Sequence, residues 1–68
     1  MNQDNFNMEI RKYLKKIGIT SQREITDAVN QAISEGKLAG NETLKATAKI
    51  ILDDLDFEIE IDGEISLD

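Results

Sequence analysis

The chain of 68 residues contains no cysteine and no histidine, and its aromatic side chains are limited to Phe6, Tyr13 and Phe57. Without cysteine there is neither a disulfide nor a thiolate metal site, and without histidine the commonest zinc ligand and the usual general base near neutral pH are missing. Aliphatic side chains must therefore supply most of any core. A domain of this size buries only about 60% of its unfolded surface, so stabilisation has to come from packing, with a second copy of the chain as one source. No apolar run approaches the roughly 18 residues needed to span a bilayer. The start, Met1 to Asn7, is polar and lacks the basic opening and apolar stretch of a secretory signal. The expectation is a single domain over residues 1–68, cytoplasmic and without a membrane partner.

Charge is unevenly placed. Residues 1–40 hold six basic and five acidic side chains, a balance of +1, whereas 41–68 hold two basic and nine acidic, a balance of −7, which together give the formal −6. An acidic second half disfavours general nucleic-acid binding, because such affinity rests on Lys and Arg neutralising phosphates.

Phe6, Ile10, Tyr13, Leu14 and Ile17 recur at steps of three and four, the spacing of an amphipathic helix over about 5–17. Asp4 or Asn5 can cap its start, and Gly18 suits the left-handed position that ends a helix. Ser21-Gln22-Arg23-Glu24 has the form of a capping box, which places a second helix over about 21–35 with Ile25, Ala28, Val29, Ala32 and Ile33 as its stripe and Gly36 as its stop. A link of only Gly18 to Thr20 would fold the two helices against a common core.

Two alternating segments follow. Leu44 to Leu52 and Phe57 to Leu67 each place apolar side chains on one parity, and in the second segment Glu58, Glu60, Asp62 and Glu64 occupy the other. Closing a four-residue turn at Asp53-Asp54-Leu55-Asp56 sets Leu52 opposite Phe57. The register then pairs Ile50 with Ile59, Ala48 with Ile61, Ala46 with Gly63 and Leu44 with Ile65 on one face, and Lys49 with Glu60 and Lys45 with Glu64 on the other. Glu58 and Asp62 have no opposite charge in this register. Asp62-Gly63 is also a strong local signal for a hairpin turn. A two-residue loop there mixes the faces, and a three-residue loop sets Glu60 against Glu64, so register favours the long hairpin. The fold class is thus α+β: two N-terminal helices (about 5–17 and 21–35) followed by a long antiparallel β-hairpin (about 44–52 and 57–67).

An isolated two-stranded ribbon is poorly stable and has two open edges. Edge pairing between two copies would give four strands and bury more apolar surface, so a homodimer formed through the hairpin is expected.

Glu58-x-Glu60-x-Asp62-Gly63 resembles the opening of a calcium loop, but the Glu expected at position 12 would fall at residue 69, beyond the sequence. A solvated strand face is the simpler account, and the aspartates of the turn are explained by backbone hydrogen bonding. Arg11, Lys12, Lys15 and Lys16 form a small basic surface, and two helices before a hairpin superficially suggest a winged helix. A recognition helix would carry basic or amide side chains, whereas the second helix exposes Gln22, Arg23, Asp27, Asn30, Gln31 and Glu35, nearly neutral in sum. For catalysis the nearest pairing is Ser21 with Glu24, and capping already uses the Ser21 hydroxyl. There is no glycine-rich phosphate loop and no nucleophile elbow. No catalytic residue, metal or cofactor is expected.

Asn5-Phe6-Asn7, Ile10-Arg11-Lys12, Leu14-Lys15, Gly18, Ser21-Gln22-Arg23-Glu24-Ile25, Ala28-Val29 and Gly36-Lys37-Leu38, with Gly40 and Glu42, resemble a family of short uncharacterised bacterial proteins, a domain of unknown function. The resemblance spans nearly the whole chain and is closest over 5–42. It implies a free-standing single domain and carries over no catalytic or binding residue. Within it, capping explains Ser21 and Glu24 but not Gln22 and Arg23.

The sequence therefore points to a small interaction or assembly protein with itself as partner, open to an unidentified protein partner as well. The candidate contact residues are Arg11, Lys12, Lys15, Lys16, Gln22, Arg23, Glu58 and Asp62. The alternative is a weak nucleic-acid binder using the basic face of the first helix together with Arg23.

Overall fold

The computed structural model describes residues 1–68, which divide into two compact units, Met1–Lys37 and Leu38–Asp68. The first unit is one helix, α1, over Gln3–Ser34. At 32 residues it is about 48 Å long, at 1.5 Å per residue. The second unit is an antiparallel hairpin of β1 (Thr43–Leu52) and β2 (Phe57–Ser66).

The two expected helices are therefore one, which corrects the boundaries 5–17 and 21–35. Gly18 was expected to end the first helix, but it lies inside α1 and is not among the glycines with positive φ. A glycine in a helix interior costs about 1 kcal/mol relative to Ala. Ending the helix there and restarting it at Ser21 would instead strip four carbonyls and four N–H groups of their helical partners. Proline is absent from the sequence, so no residue in Gly18–Ser21 forbids continuation. The apolar positions also run on through the junction at helical steps, from Leu14 and Ile17 by way of the half-buried Ser21 to Ile25.

The helix starts two residues earlier than expected. Asn2 is the N-cap, its side-chain oxygen accepting the Asn5 N–H at 3.1 Å, rather than Asp4 or Asn5. With the chain already helical at residue 21, the Ser21–Glu24 capping box has no function, since the Glu24 N–H belongs to the helical ladder. The expected stop at Gly36 is present. Gly36 has φ +77°, its N–H donates to the Ile33 carbonyl at 3.0 Å, and the Lys37 N–H donates to the Ala32 carbonyl at 2.8 Å. These two bonds form a Schellman motif.

In the second unit the register is the expected one at every position, from Leu52 opposite Phe57 to Leu44 opposite Ile65, and it extends to Thr43 opposite Ser66. Asp53 to Asp56 form the turn, closed by the Leu55 N–H donating to the Leu52 carbonyl at 3.2 Å. Asp62 and Gly63 lie within β2, opposite Thr47 and Ala46, and make no turn. The two-residue alternation wins over the local Asp-Gly signal because a turn there would mix the faces. The Leu67 N–H donates to the Glu42 carbonyl at 2.9 Å and carries the pairing one step past the strand ends.

Candidate interaction surfaces

One face of the hairpin is apolar, with Leu44, Ala46, Ala48, Ile50 and Leu52 facing Phe57, Ile59, Ile61, Gly63 and Ile65 across the ladder. Pairing side chains across a single ribbon covers them only in part. Leu44, Ala46, Ile50 and Ile65 are half-buried, while Ile61 keeps 54% of its surface exposed. The sheet has no third strand, so β1 and β2 each present one open backbone edge.

The opposite face is charged and predominantly acidic. Lys49 closes an ion pair with Glu58 at 3.1 Å rather than with Glu60, the residue directly across from it. The diagonal contact is within reach of long side chains on a twisted ribbon. Both partners are about half exposed, so the pair contributes little. It does give Glu58 the opposite charge that a straight-across register denies it. Asp62 accepts a hydrogen bond from the Thr47 hydroxyl at 3.1 Å, across the strands. Glu58, Glu60 and Asp62 are strung along an extended strand, and no group of three or more carboxylates converges to hold a metal ion.

On α1, Arg11, Lys12, Lys15 and Lys16 are all exposed and enter neither of the two ion pairs, Lys37–Glu35 and Lys49–Glu58. Because the helix is continuous, Arg23 joins them. Lys12, Lys16 and Arg23 follow at steps of four and seven, which brings them to one side of the helix. Gln22 is exposed, and its backbone carbonyl accepts the Thr26 hydroxyl at 2.7 Å. Arg23 and Gln22 therefore stand mid-helix, where the expected scheme had them at a helix start.

The apolar stripe of α1 is a surface that sequence reasoning missed, having assigned it to a core shared by two helices. No residue of α1 is buried. Phe6 is 44%, Leu14 48% and Ile25 42% exposed. The signal was in the sequence, since the apolar steps cross Gly18 without a phase break.

A second omission is Glu42, in the segment that precedes β1. Its carboxylate accepts the backbone N–H groups of Ala39 at 2.8 Å, Gly40 at 2.9 Å and Asn41 at 3.2 Å. The bonds from Ala39 and Gly40 hold its pKa below the usual glutamate value, against a smaller opposing effect of desolvation. Gly40, at φ +103°, supplies the backbone turn that aims those donors at one side chain.

The fold and its surfaces define a small α+β protein built from one long amphipathic helix and a two-faced hairpin. The chain belongs to a family of unknown function, DUF6494, whose model matches residues 1–68. No curated protein and no solved structure matches it. No helix is long and apolar enough to cross a membrane.

Proposed function

We propose that the chain is a small non-catalytic assembly module that pairs with a second copy of itself through its β-hairpin. The observation that carries this reading is the ribbon itself: two strands, two open edges and an apolar face that stays largely exposed. A two-stranded hairpin is marginal in water. Four strands formed from two copies would satisfy one further row of backbone donors and acceptors per chain and widen the apolar face. The edge of β1 suits this role better than that of β2. β1 carries two charged side chains, Lys45 and Lys49, whereas β2 carries four carboxylates that would be stacked against their own copies. Light scattering coupled to size exclusion at micromolar concentration should give twice the 7.6 kDa chain mass. A monomer mass that persists as concentration rises would overturn the proposal.

A second reading has one observation in its favour. The continuous helix lines up Lys12, Lys16 and Arg23, with Arg11 and Lys15 beside them, as a basic surface that could meet phosphates. Against it stand the net charge of −6 and the carboxylates of Glu9 and Asp27 on the same helix. A mobility shift with mixed nucleic acid at low salt separates the two. The assembly reading expects no shift, and the phosphate reading expects one that disappears as salt is raised.

A further inference from the structure

We infer that α1 is itself a pairing surface, which docks antiparallel against α1 of a second copy with residue i facing residue 39 − i, so that the two-fold axis passes between Ile19 and Thr20. The inference rests on the self-assembly reading and assigns that assembly a second interface, distinct from the ribbon edge. Three observations lead to it.

The first is the stripe. It consists of two ridges at steps of four residues, Phe6-Ile10-Leu14-Gly18 and Ser21-Ile25-Val29-Ile33, all within one helix. In an isologous pair each surface must complement itself. With the axis at 19.5, the first ridge of one copy lies along the second ridge of the other. Leu14 then meets Ile25 and Ile10 meets Val29. Ile17 meets Gln22 beside them, a less apolar match at the margin of the contact.

The second observation is Gly18. It sits at the middle of Gln3–Ser34, nothing lies within 4 Å of the position a Cβ would occupy, and its φ is not positive. A mid-helix glycine with neither a left-handed conformation nor an intrachain neighbour has no local role. At the axis, where Gly18 of one copy faces Ser21 of the other, two small residues let the backbones come close.

The third is charge. Arg11, Lys12, Lys15 and Lys16 fall within one segment, and the helix continues with Glu24 and Asp27. In a parallel pair residues 11–16 would lie over the same four cations. In the antiparallel register they stand level with residues 23–28 of the other copy, where Arg23 is outweighed by Glu24 and Asp27; Lys12 and Lys16 lie on the side away from the stripe, so the preference is one of charge balance along the two helices and not of ion pairs across the contact. Antiparallel axes also oppose the two helix dipoles favourably.

The chain has no cysteine, so introduced ones report without interference. Leu14→Cys and Ile25→Cys, prepared as separate single-cysteine chains, are mixed and oxidised under mild conditions. The expected product is the heterodisulfide that joins position 14 of one chain to position 25 of the other. Like positions stand 11 residues apart along the axis, about 16 Å, well beyond the span of a disulfide. Disulfides between like positions would indicate a parallel pair and overturn the inference. A dimer by light scattering with no heterodisulfide would overturn it too, while leaving assembly through the hairpin standing; a monomer mass would remove both. Gly18→Leu provides an independent check, because leucine favours the helix yet blocks close approach. Circular dichroism should show helix content retained or raised, while the dimer dissociation constant rises tenfold or more. An unchanged dissociation constant would overturn the crossing at Gly18.

Discussion

Glu42 shows how much one side chain can organise in a chain without a deep core. Three consecutive backbone N–H groups, those of Ala39, Gly40 and Asn41, converge on its carboxylate, which fixes the path of the chain into β1. The contact favours the ionised form, so the folded pKa lies below the unfolded one. Whatever stability the contact contributes is complete above the unfolded value and is lost as pH falls through the folded one. Glu42→Gln should therefore flatten the acid side of the stability profile and speed amide exchange at Ala39, Gly40 and Asn41. Hydrogen exchange followed by NMR across an acid series measures both. An identical profile in the variant would show that the carboxylate charge has no part in holding the turn. From sequence Glu42 entered only through the family resemblance and was given no role, because one Glu two residues after a glycine carries no periodic signal. Its partners are defined only once Gly40 takes its positive φ.

At the scale of elements, the two faces of the hairpin should respond differently to charge. Ile59 lies opposite Ile50 on the apolar face, so Ile59→Asp sets a carboxylate among aliphatic side chains and should cost about 1–3 kcal/mol or leave the protein aggregated. Glu58→Lys breaks only the half-exposed pair with Lys49 and should change stability by less than about 1 kcal/mol. Urea denaturation of both variants checks the contrast, and equal tolerance would sink the assignment of faces. The hairpin was legible residue by residue because a slip of one position turns every side chain to the wrong face, which leaves a single consistent register. The Lys49–Glu58 diagonal was not, since register names the residue straight across while sheet twist and side-chain length choose among neighbours. The helix was misread for a different reason. Gly18 and Ser21-x-x-Glu24 are local end and start signals, and local signals yield when the apolar stripe continues through them. The C-terminal stop was read correctly because Gly36 is followed by no helical continuation of that stripe, and its positive φ and paired hydrogen bonds end α1. Arg11, Lys12, Lys15 and Lys16 are exposed on α1. The expectation grouped Arg23 with them, and the unbroken helix puts it in step with Lys12 and Lys16.

For the molecule as a whole, the division of labour between the strands bears on how assembly stops. Edge-to-edge pairing can in principle repeat without limit, since each added ribbon brings a fresh edge. In the proposed pairing β1 is used up at the two-fold axis, and the edges left outermost belong to β2. Glu58, Glu60, Asp62 and Glu64 line that strand, and another copy arriving there would set like charges side by side. Replacing all four by Gln or Asn leaves the alternation and the apolar face intact while removing this repulsion. The variant should form thioflavin-positive fibrils under conditions in which the parent stays a closed dimer, and a soluble dimer of unchanged mass would count against the idea. In the proposed assembly the acidic row would then act as a gatekeeper, setting its final size and keeping a strand rich in isoleucine from seeding amyloid.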